Sequence, residues 1–280
     1  MNAKSPLASL RRIAALVLVS ATTISAQQIV PPAPDTSHGP QTLFVRRDAW
    51  MALGFAGLTV AMFPLDKSVA RHINHADATG NSILGFSATT VENIADPGSV
   101  IIGPALYLYG RLSNHPDIED LGWHGTEAVI LGGSITWMLK GLAGRSRPFV
   151  SNDTNPHDFK FGKGFTNSDR ASFPSGHTTV AFAAASSVTS EAQRIWPGHN
   201  WLVAPVLYGG ASLVGLARMY HNKHWASDVA LGAAVGTFSG LKVVRYAHAH
   251  PKNFIDRRIL SLSAEPIGPS AVALTISLSP

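Results

Sequence analysis

The sequence predicts an all-α fold, a bundle of several helices, with a short β-hairpin at its C-terminal end. Six apolar stretches have helical composition and length, at 49–64, 91–111, 126–143, 178–194, 201–217 and 229–247. Near the C-terminus the pattern changes to an alternation of period two, over 259–265 and 271–279, around Pro266-Ile-Gly-Pro-Ser270. An isolated hairpin is marginally stable in water, so we expect this one to pack on the helices or on another surface.

The segment before the first apolar helix has the composition of an export signal and a leader. In residues 1–26, three basic residues precede an apolar stretch, and Ile24-Ser-Ala26 places a small residue at a cleavage point, which is typical of a secretory signal peptide. Residues 27–47 begin with a Pro-rich polar stretch and predict a flexible leader. We therefore expect an exported, periplasmic protein with one helical domain at 48–250 and a tail at 251–280 that carries the hairpin.

The charge of the chain gives little support to nucleic-acid binding. The formal net charge is +5, but Lys4, Arg11 and Arg12 lie in the predicted signal, which contains no acidic residue, so the remainder carries only +2. We therefore expect no nucleic-acid partner. The sequence contains no cysteine, which fits an exported protein that forms no disulfides.

Three short runs contain the groups needed to hold and transfer a phosphoryl group. They are Lys140-Gly-Leu-Ala-Gly-Arg-Ser-Arg147-Pro148, Pro174-Ser-Gly-His177 and Arg218-Met-Tyr-His-Asn-Lys-His224-Trp-Ala-Ser-Asp228. A transferred phosphoryl group is anionic, so its oxygens need fixed positive donors in the transition state. Lys140, Arg147 and Arg218 are the candidate donors.

The second run is expected at the N-terminus of a helix, because an apolar helical stretch follows it. The backbone N–H groups and the macrodipole of a helix N-terminus bind anions, and Gly176 lets the backbone approach a ligand closely. Taken alone, Ser175 and His177 fit equally well as an N-cap and a first-turn residue.

In the third run, His224 and Asp228 are four residues apart and share one face if the segment is helical. A carboxylate bonded to one ring nitrogen fixes the tautomer and leaves the other nitrogen as a nucleophile. Alternatively, Asp228 is the N-cap of the next helix and His224 is a partly buried loop residue. Asp228 can also serve both purposes.

Taken together, the three runs resemble the signature of the type 2 phosphatidic acid phosphatase (PAP2) superfamily, which includes bacterial class A acid phosphatases and vanadium haloperoxidases. The matching positions are Lys-x6-Arg-Pro, Pro-Ser-Gly-His and Arg-x5-His-x3-Asp, in the same order, and the resemblance covers 127–240. One position departs: the family usually has Ser before the Arg of the third run, where this chain has Ala217. That change removes a possible hydroxyl contact to phosphate and keeps every charged and nucleophilic group.

The resemblance implies a multi-helix bundle of the PAP2/haloperoxidase type and a role for each matched residue. His224 would attack phosphorus and form a phosphohistidine, Asp228 would orient it, and His177 would protonate the leaving oxygen and later activate water. The phosphate-binding groups would be Lys140, Arg147, Ser175, Gly176 and Arg218. The resemblance implies no metal or other cofactor, and the sequence has no cluster of Asp and Glu at metal-ligand spacing.

We therefore predict a metal-independent phosphatase that acts on phosphate monoesters, with a lipid phosphate or a soluble ester as its partner. One alternative is a vanadate-dependent haloperoxidase, in which vanadate would occupy the same cage and be coordinated by His224; those members of the superfamily are usually much larger. A second alternative is a non-catalytic binder of phosphate or phospholipid. The presence of all three catalytic residues disfavours it.

Further polar residues are candidates around this site. The polar loop 149–173 is expected to form a rim, with His157, Asp158, Lys160 and Lys163 as candidate substrate contacts, and 112–125 is expected to be a second polar loop. His221 is a candidate for the pocket mouth because it lies three residues before His224. His248 and His250 are expected at the surface, because their spacing does not place them on one helical face and no acid is near them in sequence.

The apolar helices raise the question of a membrane. Most predicted stretches are shorter than the roughly 20 residues that a span needs, and Glu92, Asp96 and Lys140 interrupt them. In addition, after a cleaved signal three crossings would place the first run on the cytoplasmic side. We therefore favour a soluble or peripherally membrane-associated periplasmic bundle over an integral membrane protein.

Overall fold

A computed structural model describes residues 43–73, 82–250, 253, 262–268 and 271–276. The predicted signal peptide and residues 27–42 of the predicted leader lie outside the described residues. Helices dominate the described part, so the predicted all-α fold class is confirmed.

The helices are α1 Arg46–Met62, α2 Asp66–Ile73, α3 Ser82–Ser113, α4 Pro116–Ala143, α5 Gly176–Ile195, α6 Asn200–Tyr220 and α7 Ala226–Ala249. Short 3₁₀ turns follow α1, interrupt the loop between α4 and α5, and precede α6. The strands are β1 Leu262–Gly268 and β2 Ala271–Ile276.

Helix α4 begins ten residues before its predicted start, so the expectation of a polar loop at 112–125 is wrong. Pro116 occupies the first helical position, where its fixed φ and missing N–H carry no penalty. Asp117 and Glu119 lie in the first turn and favour the positive end of the helix dipole. Polar residues that resemble a loop in composition are therefore the start of a helix. Helix α2 was not predicted at all.

Helix α5 is the centre of the bundle and packs against α4, α6 and α7. The contact with α7 is close because glycines of α7 face α5. A Cβ atom on Gly236 would lie 2.2 Å from the carbonyl oxygen of Thr179, and one on Gly240 would lie 1.9 Å from Ser186 Oγ. Any larger residue at these positions would push the two helices apart.

The close packing aligns the starts of α5 and α7. The backbone N–H of Ser175, just before α5, donates to the carbonyl oxygen of Asp228 in the first turn of α7 at 2.9 Å. The C-terminal ends of α4 and α6 meet the same region. We call this region, formed by 140–147, 174–177 and 218–228, the motif end of the bundle.

The C-terminal strands pair in the antiparallel manner that the alternation predicts. Leu262 lies opposite Ile276, and Glu265 lies opposite Ala273. β1 continues through Pro266 to Gly268, beyond the predicted end at 265, and the register shifts between Pro266 and Gly268. The residues that connect the two strands lie outside the described part of the chain.

Three segments are long and apolar enough to cross a membrane, namely Arg46–Ile73, Pro197–Tyr220 and Ala226–Ala249. Large apolar side chains are also exposed on several helices, among them Trp50, Leu53, Trp137, Trp201 and Val206. The expectation that the apolar helices are too short to span is wrong, because they extend beyond the apolar centres from which it was made. The prediction of a soluble bundle can therefore no longer rest on helix length. The length and composition of these helices are compatible with membrane association.

Candidate active site

The cation of the first run lies beside the start of α5. Lys140 is in the last turn of α4, and a Cβ atom on Gly176 would lie 3.6 Å from Lys140 Cε and 3.9 Å from Nζ. Lys140 Nζ donates to the carbonyl oxygen of Ala171 at 2.9 Å. An ammonium group therefore adjoins the N-terminal turn of a 20-residue helix, and both favour a bound anion.

Arg147 is held by the loop that follows the first run. Its Nε donates to the carbonyl oxygen of Ser168 at 3.0 Å, and its backbone N–H donates to that of Asp169 at 2.9 Å. The side chain is half-buried. The charges of Arg147 and Asp228 both act on Lys140, so the first and third runs share one electrostatic environment.

Arg218 lies in the last turn of α6 and is buried, but it already faces an anion. Its Nη1 contacts the carboxylate of Glu92 from α3, and the other oxygen of Glu92 is 2.5 Å from His221 Nδ1. Arg218 Nε has no hydrogen-bond partner in the described part of the chain. A phosphate that binds Arg218 would therefore share it with Glu92 or displace Glu92. His221, expected at the pocket mouth, lies beside this contact.

His224 is 2 % exposed and faces Asp228 without a hydrogen bond. Its Nδ1 is 3.6 Å from Asp228 Oδ2 and has no hydrogen-bond partner among the described residues. Catalytic hydrogen bonds are often long in the absence of substrate and shorten on binding. Nδ1 is the ring nitrogen nearer to the carboxylate, and Nε2 is the nitrogen farther from it.

Asp228 is the third residue of α7, so the alternative that it is the N-cap is wrong: Trp225 occupies that position. The carboxylate of Asp228 accepts hydrogen bonds from Ser172 Oγ at 2.5 Å, from the Trp225 N–H at 2.8 Å and from Arg145 Nη1 at 2.5 Å. Three donors on one carboxylate fix its position and favour its ionised form.

Burial, together with the positive charge of Lys140, lowers the pKa of His224 to about 3, although Asp228 acts in the opposite direction. Arg218 adds a smaller effect of the same sign as Lys140. The imidazole is therefore neutral at neutral pH, as a nitrogen nucleophile must be.

The second run is divided between buried and accessible groups. Ser175 occupies the N-cap position of α5 and is fully buried, and its Oγ accepts a hydrogen bond from Thr178 Oγ1 at 2.8 Å. His177, the second residue of α5, is half-buried. A contact from the Ser175 hydroxyl to phosphate stays a prediction, and in this structure that hydroxyl is engaged inside the helix start.

Arg145 is a residue of the first run that the sequence did not single out. It is fully buried; Nη1 donates to Asp228, and Nη2 donates to Asp66 Oδ2 at 2.7 Å. The guanidinium lies 4.9 Å from the ring centroid of Phe63. Asp66 also accepts from the N–H of Ser227 at 2.8 Å and from its Oγ at 2.6 Å. An Asp66–Arg145–Asp228 chain therefore ties the start of α2 to the start of α7.

The sequence gives a hint of one member of this Asp66–Arg145–Asp228 chain. The first run contains a second arginine, Arg145, two residues before Arg147, which raises the question of its ion-pair partner. Nothing in the sequence points to Asp66, which lies 79 residues from Arg145 at the start of the unpredicted helix α2.

The predicted rim residues mainly hold the loop together. Asp158 forms an ion pair with Arg170 at 2.8 Å, which holds the pKa of its carboxyl below the usual range. The ring of His157 stacks on that of Phe63, with centroids 6.3 Å apart. Lys160 donates its backbone N–H to Gly144, and Lys163 begins a 3₁₀ turn.

Of the last two histidines, His250 is exposed as expected. The expectation for His248 is wrong, because its Nε2 lies 2.8 Å from Glu191 Oε1. That acid comes from α5, 57 residues away in sequence, so a search of neighbouring residues could not find it.

Comparison with known proteins agrees with this architecture. Residues 122–252, which contain all three runs, match the family model described as "PAP2 superfamily". A segment of 69 residues is 46 % identical to the lipid A 1-phosphatase of Porphyromonas gingivalis; it makes up 25 % of this chain and spans 15 % of that relative.

Two solved structures match this chain. The transmembrane PAP2 type phosphatidylglycerolphosphate phosphatase from Bacillus subtilis is 21 % identical, with a TM-score of 0.51 over 75 % of this chain and 100 % of its own. LpxE from Aquifex aeolicus is 22 % identical, with a TM-score of 0.46 over 65 % of this chain and 96 % of its own. Residues 122–252, with all three runs, are therefore similar to the PAP2 superfamily.

Proposed function

We propose that this chain is a lipid phosphatase that hydrolyses a phosphate monoester at the motif end of the bundle. The observation that carries the proposal is the meeting of Lys140 with the N-terminus of α5, next to a buried, neutral His224. Positive groups around a nitrogen nucleophile are what an in-line phosphoryl transfer requires.

In the proposed mechanism, His224 Nε2 attacks phosphorus while the bond from phosphorus to the ester oxygen breaks. His177 gives a proton to the departing oxygen, and a phosphohistidine remains. His177 then takes a proton from water as the water attacks phosphorus, which releases phosphate and restores His224. Asp228 stabilises the protonated Nδ1 throughout, as the carboxylate of a catalytic triad does.

The loop beside the site supports a lipid substrate. Residues 149–165 expose several large apolar side chains, namely Phe149, Val150, Phe159, Phe161 and Phe165, with Phe161 83 % exposed. An apolar rim next to a cationic phosphate site suits a molecule with a phosphate headgroup and apolar chains. The relatives named above act on lipid A and on phosphatidylglycerolphosphate, which supports the same class of substrate here.

The proposal is tested with the purified full chain in detergent micelles. Phosphate release is measured for lipid A, phosphatidylglycerolphosphate and phosphatidic acid, with p-nitrophenyl phosphate as the soluble ester. We expect the highest kcat/KM on one of the lipids and loss of activity in His224→Ala. The matched control His115→Ala changes an exposed histidine at the end of the bundle opposite to the motif end, and it should keep full activity. Faster turnover of the soluble ester than of every lipid would refute the lipid assignment.

The intermediate is tested separately. After a brief reaction with labelled substrate and quenching, the phosphorylated protein should be labile in acid and stable in base. An acid-stable seryl phosphate would contradict the role of His224, whatever the substrate.

A further inference from the structure

Two histidines and a glutamate lie together at the end of the bundle opposite to the motif end. His124 comes from α4, Glu191 from α5 and His248 from α7. Along the helix axes, Glu191 is about 22 Å from the start of α5, and His248 is about 30 Å from Asp228. None of the three belongs to the proposed phosphatase site.

The donor atoms of the three side chains converge on one another. His124 Nδ1 lies 2.6 Å from Glu191 Oε1, and His248 Nε2 lies 2.8 Å from the same oxygen and 3.1 Å from Oε2. All the donor atoms lie within 4.8 Å of one another. A tetrahedral Zn²⁺ with bonds of about 2.0–2.1 Å needs donors roughly 3.3 Å apart. Small rotations of the side chains are therefore sufficient to admit an ion.

The environment fits a metal centre with one open position. The side chains of His124 and Glu191 are 4 % and 2 % exposed, whereas that of His248 is 23 % exposed and leaves a path for an ion and a water ligand. The carboxylate cancels one of the two metal charges. The side chain of Arg194 lies 4.0 Å from Glu191 Oε2 and is 45 % exposed, so it can turn into solvent.

We propose that His124, Glu191 and His248 bind a divalent transition-metal ion, with Zn²⁺ as the best match. Two imidazoles and one carboxylate form a donor set that suits Zn²⁺ and disfavours Ca²⁺ and Mg²⁺, which prefer oxygen ligands. The ion replaces the two protons that otherwise join the imidazoles to the carboxylate. It ties α4, α5 and α7 together at a distance from the proposed phosphatase site.

The test uses the full chain in detergent, stripped of metal and then titrated with Zn²⁺ by calorimetry and with Co²⁺ by visible absorption. We expect one ion per chain, a higher Tm with Zn²⁺, and the absorption of four-coordinate Co²⁺. His248→Gln and Glu191→Gln should each weaken metal binding by about 100-fold or more. Loss of a residue that only hydrogen-bonds to a metal ligand already lowers the affinity for the metal by about 10–100-fold, and these two residues are the ligands themselves.

The matched control is His250→Gln, the same substitution two residues away on an exposed side chain, which should bind as the wild type does. His224→Ala should also keep the ion, which separates this site from the phosphatase site. Absence of stoichiometric binding in the wild type would overturn the proposal and show that the cluster is only a hydrogen-bonded clamp. Binding that survives in both His248→Gln and Glu191→Gln would overturn it as well.

Discussion

Replacing Arg145 with Met should destabilise the protein more than the same replacement of another arginine in the loop between α4 and α5. The substitution preserves most of the side-chain volume and removes the cation between Asp66 and Asp228, both of which are fully buried. Breaking a buried ion pair by removing one partner costs about 3–5 kcal/mol, because the remaining charge is left without compensation. For a domain of this size each kcal/mol lowers Tm by about 2–4 °C, so the expected loss is roughly 6–20 °C.

The assay is thermal unfolding in detergent micelles, followed by tryptophan fluorescence. Trp225 is a suitable reporter, because it is fully buried and its indole N–H donates to the carbonyl oxygen of Ser146, next to Arg145. The matched control is Arg170→Met, which breaks the partly exposed pair with Asp158 and should cost no more than about 1 kcal/mol. Equal decreases in Tm for Arg145→Met and Arg170→Met would refute a special contribution of Arg145 to stability.

Arg145→Met should also act on catalysis through Asp228. A carboxylate that moves by about 1 Å can reduce the rate by up to about 100-fold, so kcat should fall while KM changes little. Adding Asp66→Asn to Arg145→Met removes one of the two uncompensated charges and should recover part of the lost stability. If the double variant is less stable than Arg145→Met, the two groups do not interact as described.

Three further predictions concern charge. Between pH 7 and pH 5 the free energy of unfolding of the wild type should fall more steeply than that of His224→Gln. The reason is that the unfolded imidazole is protonated below pH 6.5, whereas burial holds the pKa of His224 in the folded chain at about 3. The free energy of unfolding of the wild type therefore falls, relative to that of His224→Gln, by about 1.4 kcal/mol per pH unit below 6.5. Equal pH dependence in the two proteins would contradict this. Glu92→Gln should strengthen inhibition by inorganic phosphate by up to about fivefold, since Glu92 competes for Arg218 through a partly exposed pair; weaker inhibition would mean that Glu92 orients Arg218 instead. Vanadate should inhibit hydrolysis competitively, with little bromination in the presence of hydrogen peroxide and bromide; strong bromination without hydrolysis would favour the haloperoxidase alternative.

Local patterns predicted the long helices and the residues of the three runs, because a helix and a short motif are both encoded by neighbouring residues. The apolar centres of α5, α6 and α7 were found within a few residues of their ends. The start of α4 was missed because the polar residues that stabilise a helix N-terminus have the composition of a loop.

The contacts that sequence reasoning missed all join distant parts of the chain. Asp66 reaches Arg145 across 79 residues, Glu92 reaches Arg218 across 126, and His124 reaches Glu191 across 67. Each pair forms only when the chain folds, so no local spacing in the sequence predicts it. Of these residues, Glu92 was interpreted from the sequence as an interruption of an apolar stretch, and in the fold it pairs with Arg218.

The same packing brings residues about 40 positions apart in sequence to one end of the bundle. α5 and α6 have 20 and 21 residues, so each is about 30 Å long. Because a short connection joins them, α6 returns to the end at which α5 began, and Arg218 comes back to the level of His177. Two helices of similar length therefore place the second and third runs at the same end of the bundle. The opposite ends of α5 and α7 place Glu191 and His248 at the other end of the bundle, where a bound ion would join the helices at a distance from the proposed phosphatase site.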